Sequence, residues 1–479
     1  MISLMVVAVP MLGALFSLLL RRQALLLFVG VALVDAVIAG MVAFGIDSTQ
    51  PIYVGDNYLV VDATSRLFLL LTNLLFLGIA TYVRTRVWTV PQLERGMDRF
   101  VALALVFIAA GNLAVLSNHL IAMWILIEVT TLVAAPLIRH GGAPDALRAS
   151  WRYLMFSLVG LAIALLGFVA LGNGMELSGD HTVTYFLDAL PGRVGPEQEI
   201  WRRLGLLLLF LGFGTKLGLA PMYAWLPETY DAAPPPVTAL LASVQFNITL
   251  VAVLRLLQVY RVSDSYLVTF ALIALGLSTM AVSSFGIIST RNYKRLLAYA
   301  ALNHAGVIAI GLGIGKGAAF GVLLYVVSNA IIKAILFLTA GRIRAHYKTQ
   351  DMGKVTGLII DLPESGLFFL VGTFALLGFP PFGSFLGELI ILSALVTGGH
   401  FAVFAIFCAI LMITFVATGR SVFPMVWGAS QRTLDREVQP RGALVPKLMF
   451  LTFLVAMGLY LPAPVTALFR RVATSLGAE

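Results

Sequence analysis

The sequence contains almost no cysteine. Cys408 is the only one among 479 residues, and it lies inside an apolar run. A single thiol excludes a disulfide framework, a thiolate zinc site and a cysteine-ligated iron–sulfur cluster. We therefore expect no cofactor and no metal in this chain, and any linked redox chemistry would take place in another subunit.

Charge is also scarce. Only 11% of the residues are charged, whereas 60% are hydrophobic, which is too apolar for a water-facing surface of ordinary size. The net charge of +9 comes from basic residues scattered through short polar segments, so we expect contact with lipid and none with nucleic acid.

The hydropathy pattern predicts an all-α membrane protein with about fourteen transmembrane helices in one integral domain. Each apolar run has roughly the twenty residues that a membrane-spanning helix needs. Segment 1–20 lacks a basic leader and a small-residue cleavage site, so we expect a first span and not a removed signal. The predicted spans are 3–20, 24–45, 66–83, 99–116, 119–138, 153–173, 204–226, 236–258, 266–288, 296–314, 317–340, 366–396, 400–424 and 446–469.

The distribution of basic residues predicts the orientation. Lys and Arg concentrate in alternate loops, which the positive-inside rule assigns to the cytoplasm. With an even number of spans, both termini and the segment 174–203 are expected on the periplasmic side of a bacterial inner membrane.

Two predicted spans are interrupted by proline. Span 204–226 contains Pro221, and span 366–396 contains Pro380 and Pro381. Proline removes a backbone donor, which membrane helices tolerate where the freed groups face protein or water. Broken helices at matching places in two halves predict two inverted five-helix repeats. The expected division is 1–98 for helices 1–3, 99–258 for the first repeat, 259–424 for the second, and 425–479 for the last loop and helix.

Five ionisable side chains lie within predicted spans. A charge at membrane depth costs at least a few kcal/mol, so each position calls for a function. Burial favours the neutral form of amines and carboxylic acids, and such groups can pass protons when a neighbouring charge changes. The alternative is that a side chain extends to the interface or bonds a carbonyl. The predicted proton relay comprises Glu128, Lys216, His304, Lys333 and Glu388.

Uncharged polar residues accompany these five. Tyr325, Asn329 and Lys333 follow at intervals of four, which places them on one helix face. Gln245 and Asn247 add amides to the 236–258 span. We expect these residues to support the relay, although hydrogen bonding between helices is an equally good explanation for the amides.

Two segments resemble the antiporter-like subunits of respiratory complex I, Mrp-type cation/proton antiporters and energy-converting membrane-bound hydrogenases. They read GTKLGLAPMYAWLPETYDAAPPPVTALLASVQFN and RNYKRLLAYAALNHAGVI. The resemblance covers nearly the whole chain and implies fourteen helices with two inverted repeats and a charged, hydrated path across the membrane plane. By position it assigns the relay glutamate, lysines and histidine to the five residues named above.

The sequence also departs from that family. Asn247 stands where many members have lysine or histidine, and Tyr325 and Asn329 stand where many have histidine. Since an amide carries no proton as a charge, the middle of the relay would depend on water or on Lys333. The chain is most similar to the F component of hydrogenase-4-type complexes.

The resemblance implies three alternative functions. The first is a proton-pumping subunit driven by a peripheral cytoplasmic arm with iron–sulfur and nickel–iron centres, among other membrane subunits. The second is an Mrp-type antiporter subunit, which the scarcity of acidic clusters disfavours. The third is the proton-conducting subunit of a bicarbonate/CO2 uptake complex.

Overall fold

The computed structural model describes residues 2–45, 50–85, 96–140, 144–176, 184–190, 196–260, 265–315, 317–430 and 441–477. The predicted loops 174–203 and 420–447 lie partly outside the described residues. The helices are α1 Ile2–Leu19, α2 Ala24–Phe44, α3 Ala63–Arg84, α4 Met97–Leu116, α5 Leu120–Arg139, α6 Ala146–Glu176, α7 Pro196–Leu217, α8 Trp225–Ala232, α9 Pro235–Ala239, α10 Phe246–Tyr260, α11 Ser265–Ser289, α12 Tyr293–Ile314, α13 Ala319–Tyr347, α14 Leu358–Asp361, α15 Pro363–Leu376, α16 Gly383–Thr397, α17 Phe401–Trp427, α18 Arg441–Leu459 and α19 Ala463–Ser475.

The described residues contain twelve helices that are long and apolar enough to cross a membrane. The prediction of an all-α membrane protein is therefore confirmed, whereas the count of fourteen stays a prediction. Several helices extend beyond the predicted spans: α6 covers Ala146–Glu176 and α13 covers Ala319–Tyr347. Hydropathy marks only the apolar part of a helix, and backbone hydrogen bonding continues into its polar flanks.

The prediction of one last span over 446–469 is wrong. α18 ends at Leu459, and a separate helix, α19, begins at Ala463 after Pro462. Proline lacks an N–H and disfavours helical backbone in the residue before it, so the helix stops there. α19 is amphipathic, with Phe469 buried and Arg470 exposed, which suits a helix lying at the end of the bundle.

Two helical paths form the centre of the bundle. These paths are Ala319–Tyr347 and Pro235–Tyr260, and the most apolar stretch of each is completely buried. The second path contains a turn of π-helix at Leu240–Gln245, between α9 and α10. The outer helices instead expose large apolar side chains, such as Leu15 on α1 and Met412 on α17, as expected for contact with lipid or apolar partner surfaces. Polar groups on the central helices are thus enclosed by protein.

Both proline-containing segments interrupt helices. α7 ends at Leu217, and Pro221 lies in the non-helical segment before α8. Pro380 and Pro381 lie between α15 and α16. α18 packs directly on this second segment, because a Cβ at Gly458 would lie 1.7 Å from the carbonyl oxygen of Pro381. Glycine is thus required at this close approach.

A short hairpin precedes α3 at one end of the bundle. Strand β1, Ile52–Val54, pairs antiparallel with β2, Leu59–Val61. Asp62 then caps α3 by accepting a hydrogen bond from the Ser65 N–H at 2.9 Å.

Asp62 also forms an ion pair that joins α3 to the end of α10. Arg255 Nη2 donates to Asp62 Oδ1 at 2.9 Å, and Arg255 Nη1 bonds the second carboxylate oxygen. Burial alone would raise the pKa of Asp62, but the guanidinium and the bonds from Ser65 outweigh it and hold the pKa below its usual value of 3.8.

Candidate functional site

Lys216 lies in the last turn of α7 and is 3% exposed. Its Nζ donates to Tyr153 Oη at 2.9 Å and to Ser157 Oγ at 3.4 Å, both on α6. A third bond goes to Thr131 Oγ1 on α5. Nζ also lies 4.6 Å from the centroid of the Tyr153 ring. The buried amine is therefore surrounded by three neutral hydroxyls.

Glu128 lies on α5, one turn before Thr131. Its carboxylate is close enough to Lys216 for electrostatic interaction. Among the described residues, however, neither oxygen has a hydrogen-bond partner, and no ion pair within 4.0 Å joins it to Lys216. The two burial-prone charges predict Glu128 within salt-bridge or one-water reach of Lys216. The direct salt bridge is absent among the described residues, and the hydroxyls of α5 and α6 bond the amine instead. A bridge through one water molecule stays a prediction.

Gln245 and Asn247 lie on the buried central path, where the π-turn passes into α10. Gln245 Nε2 donates to Thr130 Oγ1 at 2.9 Å, and Asn247 Nδ2 donates to the Ser243 carbonyl at 2.5 Å. Within the described part of the chain, both amide oxygens lack a partner. Gln245 thus contacts the residue that precedes Thr131, one of the three hydroxyl residues around Lys216.

Lys333 lies on α13, the other central helix. Its Nζ lies 4.1 Å from the centroid of the Phe246 ring, the residue between the two amides. One turn earlier, Asn329 has a buried Oδ1 with no partner among the described residues. The α13 residues therefore meet α10 at the Gln245 and Asn247 position, between the two halves of the chain.

His304, Tyr325 and Glu388 form a second group. His304 Nδ1 is hydrogen-bonded to Tyr325 Oη. All three residues line a cavity of about 260 Å³ between α12, α13, α16 and α17. Glu388 reaches the second helix break, since a Cβ at Gly378 would lie 2.8 Å from its Oε2.

Several polar residues of these two groups were not predicted from the sequence. Thr131, Tyr153 and Ser157 surround Lys216, while Asn303 and Thr414 line the second cavity. Asn303 Nδ2 donates to Ser283 Oγ at 3.1 Å and to Thr414 Oγ1 at 3.3 Å. The i, i+4 spacing of Tyr153 and Ser157 is the one sequence signal that could have indicated a shared polar face.

The described residues contain no group of three or more His, Cys, Asp or Glu side chains that could hold a metal ion. The site therefore consists of single ionisable groups on different helices. Lys216, His304 and Lys333 are buried among hydroxyls, amides and aromatic rings, whereas Glu128 and Glu388 are partly exposed.

Comparison with known proteins identifies the family of this chain. Residues 117–414 match the family described as NADH:quinone oxidoreductase/Mrp antiporter, transmembrane. The chain belongs to this family. That result confirms the resemblance inferred from the Lys216 and His304 segments.

Individual members of the family are similar over most of their length. A hydrogenase-4 component F homolog of Methylacidiphilum infernorum is 26% identical over 430 residues, covering 88% of this chain and 89% of that protein. A Na⁺/H⁺ antiporter subunit of Bacillus subtilis is 26% identical over 358 residues, covering 74% of this chain and 71% of that protein.

The fold agrees with a solved structure. The membrane-bound sulfane sulfur reductase, an archaeal respiratory membrane complex, contains a chain with a TM-score of 0.88 and 20% identity. The match covers 99% of this chain and 98% of that chain. At this identity the similarity establishes the fold alone. The family match and the similar relatives identify the protein as an antiporter-like membrane subunit of the complex I, Mrp and membrane-bound hydrogenase superfamily.

Proposed function

We propose that this chain translocates protons through the side chains of Glu128, Lys216, Lys333, His304 and Glu388, as one subunit of a redox-driven energy-converting membrane complex. The observation that carries this proposal is the environment of Lys216. A buried amine held by three hydroxyls, beside a carboxylate that it does not contact directly, is suited to gaining and losing a proton.

The three hydroxyls around Lys216, those of Thr131, Tyr153 and Ser157, can hydrogen-bond the amine in both of its protonation states. Ser, Thr and Tyr hydroxyls accept hydrogen bonds from an ammonium, and they can rotate to donate to a neutral amine. Loss of the proton therefore leaves no buried polar group without a partner, which would otherwise cost about 1–3 kcal/mol. The nearby Glu128 charge favours the ammonium, so a change in that charge releases the proton.

The path from Lys216 to Lys333 passes the amides of α10. Gln245, Asn247 and Asn329 each bury a side-chain oxygen that has no partner among the described residues. Buried polar atoms are normally satisfied by protein or by ordered water. Water bound at these three oxygens would carry a proton between the two lysines, where the chain has amides and not titratable groups.

The second group completes the path. Tyr325 lies two turns before Lys333 on α13 and bonds His304, and both line the Glu388 cavity. A proton that leaves Lys333 would pass along the polar stripe of α13 to this cavity and exchange at Glu388.

The proposed architecture contains fourteen membrane crossings. α7 and the interrupted α15–α16 pair would each add one crossing to the twelve long helices. The two inverted five-helix repeats would cover 99–258 and 259–424, after the helices of 1–98 and before the C-terminal 425–479. Both termini would face the periplasm of a bacterial inner membrane, since the loops at the other end are richer in Lys and Arg.

Similarity to the hydrogenase-4 component F homolog favours a redox-driven complex. The proposed partners are other membrane subunits and a peripheral cytoplasmic arm with iron–sulfur and nickel–iron centres. A cation/proton antiporter subunit is the second candidate, because the Na⁺/H⁺ antiporter subunit of Bacillus subtilis is equally identical over a shorter alignment.

The test is proton flux in vesicles that contain the assembled complex. Lys216→Met keeps the side-chain volume but removes the charge, and it is expected to abolish flux without preventing assembly. Lys216→Arg is also expected to fail, because a guanidinium holds its proton too strongly. Lys354→Met, the same change at an exposed lysine, serves as the control. Normal flux in an assembled Lys216→Met complex would contradict the proposal.

A further inference from the structure

A cavity of about 430 Å³ lies at the hairpin end of the bundle, apart from the residues of the proposed relay. The segment before β1, the first turn of α3 and the helix α19 enclose it. Its wall contains three guanidinium groups and two hydroxyls, contributed by Arg66, Arg470, Arg471, Thr474 and Ser475.

The cavity carries an excess of positive charge. Asp62 is the one carboxylate among the described residues of its wall, and that carboxylate already pairs with Arg255. Arg66 is 3% exposed and lies close enough to both Arg471 and Asp62 for electrostatic interaction. A phosphate at the cavity would add negative charge beside a wall in which three arginines face one carboxylate among the described residues.

We propose that this cavity binds the phosphate headgroup of an anionic phospholipid such as phosphatidylglycerol. Guanidinium groups match phosphate oxygens with paired, charge-assisted hydrogen bonds. Thr474 adds a hydroxyl donor on the same wall, whereas the Ser475 hydroxyl already donates to the Val472 carbonyl at 2.7 Å. This proposal does not depend on the proposed function of the chain.

The surroundings place the cavity at headgroup depth in a membrane. α19 buries the apolar face that contains Phe469 and Val472, whereas Arg470 and Arg471 are exposed and border the cavity. This is the pattern of a helix lying in the membrane interface. At the same end of the bundle, Tyr460 is 72% exposed. Exposed tyrosines are typical of the membrane–water boundary.

Hydrogen bonds hold the two walls together. Gln258 at the end of α10 donates to Thr64 Oγ1 on α3 at 2.7 Å and to Ser475 Oγ on α19 at 2.9 Å. The position of α19 against α3 is thus fixed by protein contacts, which places Arg470 and Arg471 beside Arg66 on the cavity wall.

Native mass spectrometry of the purified full-length protein in detergent tests the proposal, with phosphatidylglycerol as the titrated lipid. Each arginine near an anionic lipid surface contributes about 1 kcal/mol. Arg470→Gln/Arg471→Gln is therefore expected to raise the Kd at least about tenfold, and each single variant about fivefold. The control is Arg148→Gln/Arg203→Gln, which removes the same charge from exposed positions outside the cavity.

The outcomes separate the possible ligands. Weaker lipid binding in the cavity variants alone, with no displacement by millimolar inorganic phosphate, supports the proposal. Equal binding by the cavity variants and the control variant overturns it. Displacement of the lipid by inorganic phosphate would show that the site takes the free anion, and would overturn the assignment to a lipid. Should the double variant not purify, the single variants decide the question by the same comparison.

Discussion

The role of the three hydroxyls in proton binding at Lys216 can be tested by removing one of them. Tyr153→Phe deletes the oxygen that lies 2.9 Å from Lys216 Nζ and retains the ring beneath the amine. Thr131 and Ser157 would still hold Nζ. The change therefore alters how strongly the site holds the ammonium without changing the packing of α6 against α7.

The expected magnitude follows from the charge of the partner. A hydrogen bond to a charged group contributes about 1.5–3 kcal/mol, compared with about 1 kcal/mol for a neutral pair. Since the hydroxyl also bonds the neutral amine, loss of the Tyr153 bond should cost proton binding only the difference of about 0.5–2 kcal/mol, and should weaken proton binding at Lys216, and lower flux, by roughly twofold to thirtyfold. The assay is the initial rate of proton uptake in vesicles, normalised to assembled complex.

Tyr82→Phe provides a matched control. Tyr82 is also fully buried, and its hydroxyl donates to the Leu338 carbonyl at 2.9 Å. Tyr82→Phe should lose about 1 kcal/mol of stability and Tyr153→Phe about 1.5–3 kcal/mol, whereas only Tyr153→Phe should lose flux. Equal flux in the two variants would refute the assignment of Tyr153 to the proton-binding site.

Two further predictions concern the ends of the bundle. Asp62→Asn leaves the buried Arg255 guanidinium without its counter-charge, and is expected to lower the free energy of unfolding in detergent by about 2–4 kcal/mol. Because the pKa of Asp62 is lowered in the folded protein, its ionised form stabilises the wild type above pH 3.8, and this contribution is lost as the pH falls below that value. Melting curves of the wild type and the variant at several pH values would reveal this loss. An unchanged difference in stability between the two proteins at low pH would argue against the ion pair. In a Cys408→Ser background, a membrane-impermeant thiol reagent added to intact cells should label Tyr58→Cys and spare Lys354→Cys, and the reverse pattern would invert the proposed orientation.

The sequence was sufficient to predict the helical class and the buried ionisable groups. A charge within an apolar run is visible without any tertiary information, which is why Lys216, Lys333 and Glu388 could be selected. Proline likewise indicated where α7 and the α15–α16 path are interrupted. The end of α18 was missed, although Pro462 lies in the expected span, because the apolar run continues past it.

The partners of those groups could not be predicted. Tyr153 and Ser157 are ordinary residues for a membrane helix, and their importance depends on α6 packing against α7. Nothing in the local sequence specifies that contact. The same is true of Asn303 and Thr414, which meet only because α12 and α17 border one cavity.

Glu128 was expected within salt-bridge or one-water reach of Lys216, because pairing offsets part of the cost of burying two charges. The described residues form no direct salt bridge there, and this absence distinguishes two uses of charge in this fold. Ion pairs lie near the ends of the bundle, as in Asp62 with Arg255 and Asp231 with Arg295. Such pairs hold helices in place because neither partner readily gives up its charge.

The five proposed relay residues are arranged differently. Among the described residues, none of them forms an ion pair within 4.0 Å. Lys216 bonds hydroxyls, His304 bonds a tyrosine, and Lys333 lies over an aromatic ring. A permanent counter-ion would fix the protonation state of each group, whereas neutral partners leave it to be decided by the neighbouring charge. The absence of a contact ion pair at Lys216 is therefore what a transferable proton requires.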